Sequence, residues 1–253
     1  YALLRRSTRA VELTAAGKVF YREACRILSL ADQAQALGGR AARGEAGSLR
    51  IGFVGAALLT PMASVLRRFD LERPGLLMTV HELNSFEQID ALQREQIDFG
   101  ILHPRSIPEG LHAQVLYREP FVCALPASHP LAGRKEIRLQ ALKDEPFVLF
   151  PRHFSPEYHD RIIAMCVAAG FTPQVRYEVR ANATVASLVA AGFGVAIVPR
   201  SVCRVAIDGL QFRPLAGTRV DSELIGAWRG EDHESLIRPL LAEMALQLKE
   251  GAS

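Results

Sequence analysis

The sequence has little that would mark a membrane, secreted or metal-binding chain. No apolar run approaches the ~18 residues that a membrane-spanning helix needs. The first residues do not read as a signal peptide, because Arg5, Arg6 and Arg9 interrupt them and no hydrophobic region follows. Four cysteines, Cys25, Cys123, Cys166 and Cys203, are scattered without a CxxC spacing. That reads as reduced thiols in a cytoplasmic protein and provides no paired ligands for zinc. The expectation is therefore cytoplasmic residence, with no metal, no cofactor and no membrane partner.

Enzyme motifs are missing too, so no catalytic residue is assigned. There is no GxSxG elbow and no GxxxxGK[ST] loop, and His81-Glu82 runs into Leu83-Asn84-Ser85 without the second histidine of a zinc hydrolase. Gly192-Phe193-Gly194 precedes a strand, whereas dinucleotide-binding glycines follow one, so it reads as a helix C-cap and tight turn. His129, His153 and His159 are scattered and read as surface or structural residues. No tandem repeat or low-complexity segment is evident.

What is present is 49% hydrophobic residues in a 253-residue chain, enough to bury real cores in one or two domains. Charge is uneven. Residues 1–47 hold eight Lys/Arg against four Asp/Glu, a net +4 within an overall +3, which leaves the remainder at −1. A basic end on a near-neutral body fits a nucleic-acid-facing N-terminus, although a solvated helix carries similar charges.

Two short β-prone arms, Tyr1 to Leu4 and Ala10 to Leu13, flank a basic tip and predict a hairpin. Thr14 then offers an N-cap hydroxyl to a helix running to about Gly38. Ala16, Phe20, Ala24, Ile27, Ala31, Ala34 and Leu37 form one apolar stripe along it. A stripe that long either dimerises with its twin or lies on its own body. Gly38 to Gly47 reads as a hinge. Beyond it strands and helices alternate: strands at Ser48–Val54, Leu76–Glu82, Ile97–Leu102 and Leu111–Leu125, then a second cycle from Phe147 to Val198. Strand Ser222 to Trp228 and a helix from about His233 to Lys249 close the chain. The β-α-β-α-β order implies parallel strands, and two such cycles suggest two lobes.

The opening string LLRRSTRAVELTAAGKVF resembles the wing and linker-helix junction of the LysR-type transcriptional regulators, with LTxAG at Leu13 to Gly17. The body is similar to their effector domain in LRIGFVGAALLTPMASVLRRF, LQREQIDFGIL, ASHPLA and LVAAGFGVAIVP, in that order. The resemblance covers essentially the whole chain. It implies an α/β fold: a two-lobed effector domain like the type 2 periplasmic binding proteins, preceded by a wing remnant and a long linker helix. The implied domains are 1–13 (wing), 14–47 (linker helix and hinge), 48–123 with 219–253 (lobe I) and 124–218 (lobe II). The rest of a winged helix-turn-helix is expected upstream of Tyr1. Promoter DNA, a small-molecule effector and a homodimer or homotetramer are the implied partners. Arg5, Arg6 and Arg9 would contact DNA, and Phe20, Ala24, Ile27, Ala31, Ala34 and Leu37 would dimerise.

In open α/β sheets ligands settle beyond the carboxyl ends of strands, at helix N-termini. Four such junctions can be read: Gly55-Ala56-Ala57, Asn84-Ser85-Phe86, Arg152-His153-Phe154-Ser155 and Asn182-Ala183-Thr184. Their N–H groups favour an anion, most simply a small carboxylate. Ser85, from its spacing to Glu87 and Gln88, reads as a helix cap and alternatively as a hydroxyl for ligand. Arg152 and His153 would pair with a carboxylate or stay solvated. Phe86, Phe150 and Phe154 would form an apolar wall or belong to the core. Regulators of aromatic-compound breakdown share the GFVG start, here Gly52 to Gly55. They commonly follow it with Ser or Thr and close the third strand with Arg, where this chain has Ala56 and His103. The reading is a ligand-responsive DNA-binding regulator; the alternative is a solute-binding protein of the same fold with no DNA role.

Overall fold

Strands β1 (Leu4–Arg6) and β2 (Val11–Leu13) open the chain as an antiparallel pair, Leu4 opposite Leu13. The structure is a computed structural model that describes residues 1–6, 11–42, 47–103, 106–218, 220–230 and 234–250. Arg9, expected at the hairpin tip, lies outside those residues.

The hairpin passes directly into helix α1 (Ala15–Ala42) through a joint that explains the Leu-Thr-Ala-Ala-Gly string. Thr14 Oγ1 accepts the Gly17 N–H at 2.9 Å and donates to the Ala2 carbonyl at 2.7 Å, so one hydroxyl caps the helix and holds the hairpin. A Cβ on Gly17 would stand 1.9 Å from the Leu3 carbonyl oxygen. Glycine is required there because backbone occupies the space of a side chain.

The helix runs on through Gly38-Gly39 to Ala42, so the hinge expected from Gly38 is corrected. Two glycines cost a helix about 1 kcal/mol each, and Arg40, Ala41 and Ala42 are good helix formers that carry it past them. The apolar stripe is left uncovered. Phe20 is 51% and Ile27 65% exposed, Ala31 and Ala34 are exposed, and Ala24 is half-buried; the Leu37 side chain is not described. An Arg26–Glu95 ion pair at 3.4 Å ties α1 to the body.

The body is built on an eight-stranded sheet. Strands β3 (Ser48–Phe53), β4 (Leu77–Glu82) and β5 (Phe99–Leu102) are parallel in the order β4-β3-β5, linked by α2 (Met62–Leu71) and α3 (Ser85–Gln93). Next comes β6 (Leu111–Pro126), which serves both halves of the molecule. Its Leu111–Pro120 stretch pairs with β12 (Asp221–Arg229), and its Phe121–Pro126 stretch pairs with β10 (Ala196–Pro199) and β11 (Leu210–Ala216). The remaining strands and α-helices are β7 (Ile137–Arg138), β8 (Pro146–Leu149), α4 (Pro156–Ala168), β9 (Gln174–Glu178), α5 (Asn182–Ala190) and α6 (Glu234–Glu250), and short 3-10 helices lie at Gly55–Leu59, Leu139–Leu142 and Arg200–Arg204.

Packing separates two bodies along this strand. The first core joins Leu49, Ile51, Phe69, Phe99 and Ile101 to Leu224, Ile237, Leu240 and Met244, so the last strand and helix return to the first body. In the second body β6 alternates, as a pleated strand must. Phe121, Cys123 and Leu125 pack with Ile162 and Cys166 of α4, while Val122 and Ala124 pack with Val185 and Val189 of α5. A buried ion pair locks the base of the first body. Asp98, 1% exposed, accepts from the Arg50 backbone N–H, Nε and Nη2 at 2.8, 3.0 and 2.6 Å, with Arg229 Nη2 at 3.6 Å.

Two strands go beyond the sequence reading. β7 has only two residues, and β11 contains Arg213 and Pro214, a composition that argues against a strand by itself. Tertiary pairing decides both. Ser85 is also not the cap of α3: Asn84 is, its Oδ1 accepting from Phe86 and Glu87 while Glu87 returns to the Asn84 N–H at 2.8 Å. The capping box starts one residue earlier than expected, which makes Ser85 the first helical residue.

Candidate functional site

A cavity of about 330 Å³ opens between the two bodies, at the carboxyl ends of the parallel strands. All four strand-to-helix junctions reach it: Gly55 and Ala56; Asn84 and Ser85; Phe154 and Ser155; Asn182 and Ala183. The geometry follows from crossover topology, which turns helix N-termini toward the same edge of each sheet.

One wall is aromatic. Phe150, Phe154 and Tyr158 line it, with Phe150 stacked on Phe154 at 6.3 Å between ring centroids and edge-on to Tyr158 at 5.6 Å. The buried Tyr158 hydroxyl donates to the Ile197 carbonyl at 3.4 Å, and burial pushes its pKa up. His103, just past the end of β5, packs against that wall, its ring centroid 5.2 Å from that of Tyr158. Its Nδ1 lies 3.2 Å from the Glu223 carbonyl oxygen, which can only accept, so Nδ1 carries the proton and Nε2 is left as an acceptor. Burial, opposed by that carbonyl and reinforced by the Arg161 charge, lowers the His103 pKa to about 4. The imidazole is neutral at neutral pH. Its backbone N–H donates to Ser85 Oγ at 3.2 Å, which joins the ends of β5 and α3.

Three formally charged side chains also line the cavity. Glu87 is held in the capping box, Glu82 closes β4, and Arg180 sits between β9 and α5. Arg180 Nη2 is 3.2 Å from His153 Nε2, and its guanidinium lies 5.5 Å from the Phe154 ring centroid.

Of the residues singled out from sequence, Gly55, Ala56, Ser85, His103, Phe150, Phe154 and Asn182 line this space. The others do not. Ala57 is fully buried in the first core, Phe86 is 65% exposed, and Thr184 is exposed one step beyond the cavity edge. Arg152 turns back onto α4, where Asp160 takes its Nε and Nη2 at 2.7 and 2.8 Å. That fork holds Asp160 down at about pKa 2. His153 stands behind Arg180 as a support. Sequence reading passed over Glu82, Tyr158 and Arg180. A signal existed for Glu82 and Arg180, since each lies within two residues of a junction that was read. Tyr158 lies inside a helix and had none.

Among the described residues no helix is long and apolar enough to cross a membrane, and no group of three His, Cys, Asp or Glu could hold a metal ion. Two bodies joined through strand β6, with helix N-termini facing a partly aromatic cavity, define a two-lobed receptor for a small molecule. Comparison places that receptor. Residues 42–249 match the LysR substrate binding domain family. Over 234 residues the chain is 36% identical to an uncharacterized HTH-type transcriptional regulator, YnfL, of Escherichia coli (strain K12), covering 92% of this chain and 79% of that protein. Full-length CbnR complexed with its target DNA superposes with a TM-score of 0.81 at 27% identity, over 99% of this chain and 84% of that one. The BenM effector binding domain with its effector benzoate gives 0.74 at 27% identity, over 82% and 95%. The chain belongs to the LysR-type transcriptional regulators, and it is a ligand-responsive regulator rather than an enzyme.

Proposed function

We propose that the cavity between the bodies is the effector site and that the effector is a small carboxylate with an apolar or aromatic body. The observation that carries this is the meeting, in one space, of helix starts from both bodies with Arg180 and an aromatic wall. Unpaired N–H groups and a guanidinium favour an anion, while Phe150, Phe154 and Tyr158 favour a ring or unsaturated chain. The benzoate held by the BenM domain is in keeping with that chemistry. The lobes would be 48–123 with 219–253, and 124–218, moving about the connections between them, β6 among them.

On this reading the basic hairpin lies against promoter DNA, with Arg5, Arg6 and Arg9 on phosphate or at the minor-groove edge. They position the complex without reading bases. The uncovered stripe of α1 pairs with a second copy in a homodimer or homotetramer, since a helix with Phe20 and Ile27 more than half exposed gains from burying them. CbnR was solved on its target DNA, which supports this arrangement. The chemistry of the cavity is tested by thermal shift with small aromatic and aliphatic carboxylates. A ligand at about 100 times its Kd adds about 2.7 kcal/mol to native stability. Arg180→Ala should abolish the shift. If no acid shifts the protein, the carboxylate reading falls.

A further inference from the structure

The charges facing the cavity differ in sign from one side to the other. On the second body's side Arg180 is followed by α5, whose N-cap residue Ala181 has no side chain with which to cap it. The N–H groups of Asn182 and Ala183 have no partner inside the helix, so with Arg180 they give this side free donors and positive charge. On the first body's side stands Glu82. Its carboxylate packs over Gly55, where a Cβ would be 2.6 Å from Oε1, and among the described residues no hydrogen bond or ion pair engages it. Glu87, by contrast, is taken up by the Asn84 N–H. The α3 start is already capped, with the N–H groups of Phe86 and Glu87 both on Asn84. His103 adds no positive charge, because its Nδ1–H is committed to Glu223 and Nε2 remains an acceptor.

A ligand with an acid at each end would place its second carboxylate beside Glu82, where like charge repels. We infer that the effector is instead a carboxylate bearing a hydrogen-bond donor, a hydroxyl or an amine, at its far end. Its acid faces Arg180 and the start of α5, and its donor faces Glu82. This rests on the carboxylate reading above and specifies the class of acid. Glu82 is the residue that sets it, rejecting dicarboxylates and accepting hydroxy and amino acids.

Two matched series test it by calorimetric titration of the full chain, each varying only the far end. One is butyrate, 4-hydroxybutyrate, 4-aminobutyrate and succinate; the other is benzoate, 4-hydroxybenzoate, 4-aminobenzoate and terephthalate. In at least one series the hydroxy or amino member should bind at least tenfold tighter than both the unsubstituted acid and the diacid. Glu82→Gln, at an exposed position that does not threaten folding, should erase that advantage and let the diacid bind. A diacid that binds the unaltered protein as tightly as the donor-bearing acids, or a ranking unchanged by Glu82→Gln, overturns the inference. If acids bind without that preference and Arg180→Ala abolishes their binding, the carboxylate reading survives alone. If no member of either series binds, both fall.

Discussion

Acidification should unfold this protein partly through one imidazole. Free histidine titrates near 6.5, whereas burial holds native His103 at about 4. Between those values the unfolded chain takes up a proton that the native state refuses. The stabilisation is therefore complete above the unfolded pKa and is lost as pH falls toward the native one. A gap from 6.5 to about 4 corresponds to roughly 3 kcal/mol at ~1.36 kcal/mol per unit. His103 is only half-buried and lines an open cavity, so solvent should reduce this to about 1–2 kcal/mol. Two carboxylates titrate nearby without mimicking it. Asp160, native pKa about 2, loses its contribution mainly below 3.8. Glu119 is raised, chiefly by burial and against its hydrogen bonds from Ser201, so acid favours the native state through it. The assay is the urea midpoint from about pH 7 to about pH 4 for the protein and for His103→Gln, which keeps hydrogen-bonding capacity without the titration. The variant's stability should fall less over this range, by the stated amount. Parallel curves would refute the assignment of a depressed pKa to His103.

Other perturbations report on the remaining parts. Gly17→Ala puts a methyl where the Leu3 carbonyl lies 1.9 Å away; it should loosen the hairpin at a local cost of about 1–3 kcal/mol, seen as faster hydrogen exchange at Thr14 with ligand binding unchanged. Asp98→Asn leaves Arg50 and Arg229 facing a buried neutral group, and chemical denaturation should show a loss of about 3–5 kcal/mol. Phe20→Asp with Ile27→Asp should dissociate the assembly in analytical ultracentrifugation while leaving the circular dichroism of the body intact; a retained dimer would place the interface elsewhere. On a chain that carries a helix-turn-helix ahead of Tyr1, neutralising Arg5, Arg6 and Arg9 should weaken binding alike on all DNA sequences. The salt slope should fall by about 0.9 for each phosphate no longer neutralised, and an unchanged slope removes those arginines from the DNA.

How much of this could be read from sequence depends on how local each cause is. The β-α-β-α-β order and the capping threonine are written in spacings of two, three and four residues, and the fold they imply is the fold observed. The junctions were equally readable, because a strand running into a helix start is a local event and topology alone brings such starts together. Side-chain direction was not. Arg152 and Arg180 both sit just ahead of a helix start, yet Arg152 finds Asp160 eight residues ahead on its own helix, while among the described residues no carboxylate claims Arg180. Only the folded distance separates them. Glu82 escaped notice for a related reason, because a charged residue ending a strand is ordinary until a glycine just past the neighbouring strand lets its carboxylate settle over the cavity floor. The departures at Ala56 and His103 could be seen as lost donors, but their consequence needed geometry. A histidine whose Nδ1–H is committed to the Glu223 carbonyl, with Nε2 left as an acceptor, brings no charge to the cavity, and only the folded strand pairing that sets Glu223 against it makes that commitment visible.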